Sequence, residues 1–97
     1  MIFDKNIVAD GSIDLIPLSN GSGAVESIMI TNKSTNKVKI DVYIYGSTTF
    51  YIIKNTLIPS GTSLLLTDHV SFNNSLFALK ITVSASASTP DVDVTIR

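Results

Sequence analysis

The sequence predicts an all-β protein: a single small antiparallel β-sandwich, immunoglobulin-like or jelly-roll-like, of seven to eight strands. Three observations carry this. Residues 37–45 alternate without error, with Val38, Ile40, Val42 and Ile44 on one side and Lys39, Asp41, Tyr43 and Tyr45 on the other. Side chains on a strand alternate faces, so this segment is a strand with one dry face. The same period of two returns at Leu79, Ile81 and Val83 and at Val92, Val94 and Ile96. Finally, apolar residues nowhere hold a 3.6-residue period for ten residues, while turn residues recur along the chain. That combination favours short strands in a sandwich and no helix beyond one turn.

The elements follow in order. Residues 2–8 read as a short strand or an arm, and Asp10-Gly11 as a turn. Ile13, Leu15 and Leu18 around Pro17 read as an edge strand, because proline cannot donate to a ladder. Residues 1–20 are thus an N-terminal arm or edge strand attached to a single domain, 1–97. Their apolar content (Ile2, Phe3, Ile7, Val8) without clean alternation predicts contact with another subunit. Ser19–Gly23 reads as a loop and residues 25–31 as the next strand. The polar stretch 32–36 is a hairpin loop feeding the strand over 38–45. Residues 49–58 form one strand, with a bulge expected near Lys54-Asn55. Pro59-Ser60-Gly61 is a tight turn with Pro in the position that suits its fixed φ. Short strands over 62–67 and 76–84, with a β-bridge near Val70 or Phe72 between them, and a closing strand over 91–96 complete the chain. The expected core is Ile28, Ile30, Val38, Ile40, Val42, Ile44, Leu79, Ile81, Val83, Val92, Val94 and Ile96.

Ninety-seven residues make one domain. Size scaling gives a folded surface of ~5,400 Å² against ~15,000 Å² unfolded, enough for a thin core. Charged residues are 15% of the chain and the net charge is −1. The six Lys are scattered and Arg97 is the only Arg. Counterion release from phosphates needs clustered cations, so nucleic acid is not an expected partner. Ser and Thr supply 23 residues. A surface of neutral hydroxyls costs less to desolvate than a charged one, which suits a subunit that stays docked. There is no Cys, hence no disulfide and no thiolate metal site. No basic stretch leads into an apolar one near Met1, so no signal peptide is expected, and no apolar run approaches a membrane span.

Two blocks carry a family resemblance. One is the strand end Ile28-Met29-Ile30-Thr31-Asn32 followed by the strand from Val38 to Ile44. The other is Tyr51-Ile52-Ile53-Lys54-Asn55-Thr56-Leu57-Ile58-Pro59-Ser60-Gly61-Thr62-Ser63-Leu64, followed by the two last strands. Over about residues 25–97 the chain resembles small β-sandwich virion structural proteins of tailed bacteriophages. The resemblance implies a non-enzymatic subunit that decorates a capsid or sits at the neck, tail or fibre base. Its partners would be the major capsid protein or tail and neck proteins, with further copies of itself in a homo-oligomer, and its location the virion, assembled in the host cytoplasm. It implies no catalytic residues and no cofactor.

The residues themselves offer little chemistry. His69, the only His, adjoins Asp68, and neighbours on an extended chain point apart, so they make no relay alone. Glu26, the only Glu, lacks an evident partner for glycoside hydrolysis. Asp91 and Asp93 share a strand face and, with Asp10 or Asp14, could offer oxygens to Ca²⁺. The simpler reading is two solvated carboxylates guarding an edge strand, and no metal site is expected. Tyr43 and Tyr45 lie two apart on the outward face of the most regular strand. They read as an interface anchor, as packing beneath a loop, or as a sugar-stacking platform. The candidate interface residues are therefore Ile2, Phe3, Ile7, Tyr43 and Tyr45. A carbohydrate-binding sandwich module is the alternative function.

Overall fold

A computed structural model describes residues 3–18, 22–67, 70–85 and 89–97. Ten strands run in chain order: β1 (Phe3–Ile7), β2 (Gly11–Ile16), β3 (Ser22–Val25), β4 (Ile28–Asn32), β5 (Val38–Tyr45), β6 (Thr49–Ile58), β7 (Ser63–Leu66), β8 (Val70–Asn73), β9 (Ala78–Ser84) and β10 (Val92–Ile96). One four-stranded sheet has the order β1-β10-β4-β7 and a second the order β2-β9-β5-β6, with β3 and β8 paired apart as a two-stranded ribbon. All pairings are antiparallel. The fold is a small antiparallel β-sandwich. Eight strands build the two layers, and the ribbon is the addition that a count of seven to eight did not include.

The dry rows of the alternating strands face one another and fuse into one core. Leu15, Ile30, Ile40, Val42, Leu79, Ile81, Val92, Val94 and Ile96 have no accessible surface. Every residue of the expected core is buried except Ile44, which is half-buried and packs against it. The folded surface is 5300 Å², the value that size scaling gives for a self-sufficient monomer of this length.

The N-terminal segment departs from the arm reading. Its two strands are the edges of the two sheets: β1 pairs with β10, from Phe3 opposite Ile96 to Ile7 opposite Val92, and β2 pairs with β9. Ile7 is 5% exposed and Leu15 is sealed in the core. The apolar residues of this segment lacked clean alternation because they serve two different sheets. They are joined by a turn at Gly11, whose φ of 130° favours glycine. A shift between Asp14 and Ile16 then lets Leu15 and Ile16 both reach the core. One further consequence is that β10 lies inside its sheet, so Asp91 and Asp93 do not guard an edge.

The strand expected over 25–31 is broken at Glu26-Ser27. Their N–H groups both donate to the Arg97 carbonyl, at 2.7 and 3.2 Å, so Arg97 pins the bend between β3 and β4. The turn after β6 also differs in detail. Thr62 N–H donates to the Pro59 carbonyl at 3.3 Å, so Pro59 opens the turn rather than taking its second position. Gly61, third in the turn, has φ 74°, the left-handed value that a type II turn requires there.

Strand β6 is bulged where the sequence expected it, and the reason is packing. An unbroken ladder from Val38 opposite Ile58 would place Lys54 opposite the buried Val42. Instead Lys54 and Asn55 together oppose Asp41, and Ile53 comes opposite Val42. Asn55 takes a left-handed φ of 53°, and its freed N–H donates to Asp41 Oδ1 at 2.6 Å. A second shift leaves Ile52 unopposed, so Tyr51 stands opposite Tyr43.

The hairpin expected at 32–36 is instead a crossover, because β4 and β5 lie in different sheets, and this connection is held from inside. Asn32 is fully buried. Its Nδ2 donates to the carbonyls of Asn36 and Ile58, both at 2.9 Å, and its Oδ1 accepts the Ser34 N–H at 3.0 Å and the Ser34 hydroxyl. This one amide ties the loop to the end of β6 across the sandwich.

Candidate interaction face

The outward face of the second sheet gathers every tyrosine of the chain. Cross-strand partners share a face, so Tyr43 on β5 has Tyr51 of β6 on one side and Lys80 of β9 on the other. The Tyr43 ring lies 5.3 Å from that of Tyr51 and 6.5 Å from that of Tyr45, the latter edge-on at 79°. Lys54 Nζ sits 4.6 Å above the Tyr51 ring, and Lys80 Nζ 5.0 Å above that of Tyr45. Such contacts contribute about 0.5–1 kcal/mol where water reaches them, enough to orient each ammonium. Lys80 also pairs with Asp14 across the β2–β9 ladder at 3.4 Å.

The two tyrosines singled out from the sequence have different roles. Tyr43 is 9% exposed. Its hydroxyl is 2.9 Å from Thr82 Oγ1 and donates to Ser12 Oγ at 3.3 Å, and Ser12 and Thr82 bond each other at 2.7 Å. It is the local support of the cluster, packed between its neighbours. Tyr45 is 50% exposed and Tyr51 48%, so these two rings meet the solvent. Tyr51 was not among the candidates. The even spacing from Tyr43 to Tyr51 was visible, but which β6 residues face outward depends on the bulges.

The other candidates fall elsewhere. Ile2 lies outside the described residues. The Phe3 backbone pairs with Ile96 in β1, and its side chain lies outside the described part. Ile7 belongs to the core, because its side chain closes the sandwich beneath β1. Asp68 and His69 lie outside the described residues, and Glu26 is exposed at the bend before β4.

The four aspartates considered for Ca²⁺ are split between the sheets. Asp14 serves Lys80, and Asp10 Oδ1 accepts the Ala85 N–H at 3.0 Å. Asp91 and Asp93 on the first sheet share the Lys33 ammonium, at 3.5 and 3.2 Å. Asn6 Nδ2 donates to both, at 2.9 and 2.7 Å. Among the described residues no three His, Cys, Asp or Glu side chains come together as a metal site. The Asn6 hydrogen bond, with the Lys33 ammonium adding to it, holds the Asp93 carboxyl below its ordinary 3.8. The bond to Asp93 likewise raises Lys33 above 10.5. A depressed carboxyl stabilises the fold above its unfolded pKa, and this is lost as pH falls through its folded value. Asp93→Asn is therefore expected to lower the melting temperature at pH 7 and, in acid well below the ordinary carboxyl value of 3.8, to match the parent protein. Melts at both pH values check this; a gap that persists in acid contradicts it.

No family model and no curated protein matches the chain. Among solved structures it is similar to PirA, with a TM-score of 0.63 at 12% identity over 99% of this chain and 93% of that one. It is also similar to the chain of the infectious bursal disease virus VP2 subviral particle, with a TM-score of 0.54 at 17% identity over 99% of this chain and 30% of that one. The infectious bursal disease virus Gx strain gives 0.53 at 17%, over 98% of this chain and 30% of that one. The chain spans less than a third of those viral chains. At such identities the likeness shows the fold, a β-sandwich that stands nearly alone in PirA and is one part of a larger viral chain.

Proposed function

We propose that the protein is a non-enzymatic structural subunit of a tailed-bacteriophage virion, a decoration or accessory protein that binds a symmetric lattice of capsid protein. The observation that carries this reading is the outward face at Tyr45 and Tyr51. Exposed aromatic rings, each beside an ammonium and held by a buried tyrosine, are the kind of anchor that protein interfaces use. The resemblance of residues 25–97 to small virion proteins supports it, as does the occurrence of the fold within a viral particle chain. A subunit that binds only assembled capsid stabilises that state by linkage. A neck, tail or fibre adaptor would use the same face at a different address.

Tyr45→Ser with Tyr51→Ser is expected to leave the melting temperature nearly unchanged and to abolish co-sedimentation with phage particles at micromolar protein, since anchor aromatics contribute about 2 kcal/mol or more each. Normal co-sedimentation of the double variant would sink the assignment of this face. The same rings favour a second reading, a carbohydrate-binding module. The chain has three Tyr and no Trp, so its intrinsic fluorescence reports this face alone. A saturable fluorescence change on titration with capsular polysaccharide, without particle binding, would select the sugar reading.

A further inference from the structure

An edge strand presents unpaired N–H and C=O groups, and soluble proteins guard such edges with charges, bulges or proline. This sandwich has four edges: β1 and β7 in one sheet, β2 and β6 in the other. Three are guarded. β1 carries Asp4 and Lys5, both exposed. β2 has a register shift after Asp14 and is followed at once by Pro17. β6 has two register shifts, a left-handed Asn55 and Lys54. The fourth edge, β7, reads Ser63-Leu64-Leu65-Leu66. It has no charge and no proline, and its pairing with β4 runs without a shift.

Its side chains also look unfinished. Leu64 and Leu66 point inward and are only half-buried. Leu65 points outward, 56% exposed, opposite Met29 of β4, itself 41% exposed.

We propose that β7 is the self-association edge of this protein, pairing antiparallel with β7 of a second copy about a twofold axis through Leu65. Facing residues must share a face, so the axis passes through a residue, and only Leu65 sets all three leucines opposite leucines. With Leu65 opposite Leu65, each Leu64 stands opposite Leu66 of the second copy. The inward leucines then extend both cores into one, and the outward Leu65 and Met29 of the two copies form a single apolar cluster. Charge favours a second copy as the occupant. The strand bears none, so twofold pairing sets no like charges opposite in any register, whereas a β1 pair about Asp4 or about Lys5 would set that charge against its own copy. Four-residue strands alone bury less than the ~1,000 Å² typical of a stable complex, so the dimer in free solution is weak. This deepens the homo-oligomer that the virion-protein resemblance implies, and it is tested on purified protein, so failure of particle binding leaves it standing.

The chain has no Cys, so a single introduced thiol reports one site. Leu57 on the guarded β6 edge is as exposed as Leu65, at 56%, and serves as the matched control. Under mild oxidation Leu65→Cys is expected to form disulfide dimers at least about tenfold faster than Leu57→Cys, because pairing holds the two thiols at a high effective concentration. Sedimentation at high protein concentration should show a dimer that Leu65→Lys removes without lowering the melting temperature. Equal rates for the two cysteine variants, or a Leu65→Lys protein that dimerises like the parent, would overturn the assignment.

Discussion

Replacing Asn32 by Ala is expected to destabilise the protein by roughly 2–6 kcal/mol, at about 1–3 kcal/mol for each buried polar group left without a partner. The side chain has no accessible surface, so water cannot replace it. Removing it takes the Asn32 partner from the Ile58 carbonyl and the Ser34 N–H at once, while the Asn36 carbonyl keeps the Ser34 hydroxyl at 3.0 Å. Asn32→Asp is the sharper test. It keeps the shape, removes both donors, and turns a carboxylate oxygen toward two carbonyls, so it should cost at least as much as Ala. Urea titration measures both, and since a domain has only about 5–15 kcal/mol to lose, the midpoint should fall visibly. An unchanged midpoint for the Asp variant would mean that the crossover between β4 and β5 holds without this amide.

The second large effect is expected at Ile40, where Ala should cost about 2–5 kcal/mol, as buried large-to-small changes do. Ile40 has no accessible surface and sits in a central strand, between β9 and β6. The neighbouring Lys39 is exposed on the opposite face. Lys39→Ala should stay within about 0.5 kcal/mol of the parent. Equal losses at the two positions would mean that the faces of β5 are not as described.

These two sites also show how far the sequence could be read. Ile40 was legible because β5, β9 and β10 lie inside their sheets, where one face is dry along the whole strand and the alternation stays clean. Legibility fails where a strand lies at an edge or changes partner. β1 and β2 each feed a different sheet, so their apolar residues showed no common period and Ile7 passed for an interface residue. β6 needs two bulges to bring Ile53 rather than Lys54 against Val42, and without them the place of Tyr51 beside Tyr43 was out of sight. Tyr43 and Tyr45 share a face, yet one is packed and the other exposed. That difference comes from Tyr51, Thr82 and Ser12, which reach Tyr43 from three other strands. Asn32 was visible as the end of an Ile-x-Ile-x-Asn strand, but its bond to the Ile58 carbonyl, 26 residues away, was not.

The proposed function predicts that the gene belongs to a phage, and it is tested most directly by counting copies of this protein in purified, salt-washed virus particles from its source, by quantitative mass spectrometry against the major capsid protein. A lattice-binding subunit predicts a fixed ratio to the capsid protein, in the range set by the repeating sites of the shell and unaffected by further washing. Absence from the washed particles, or a ratio that varies from one preparation to the next, would contradict it.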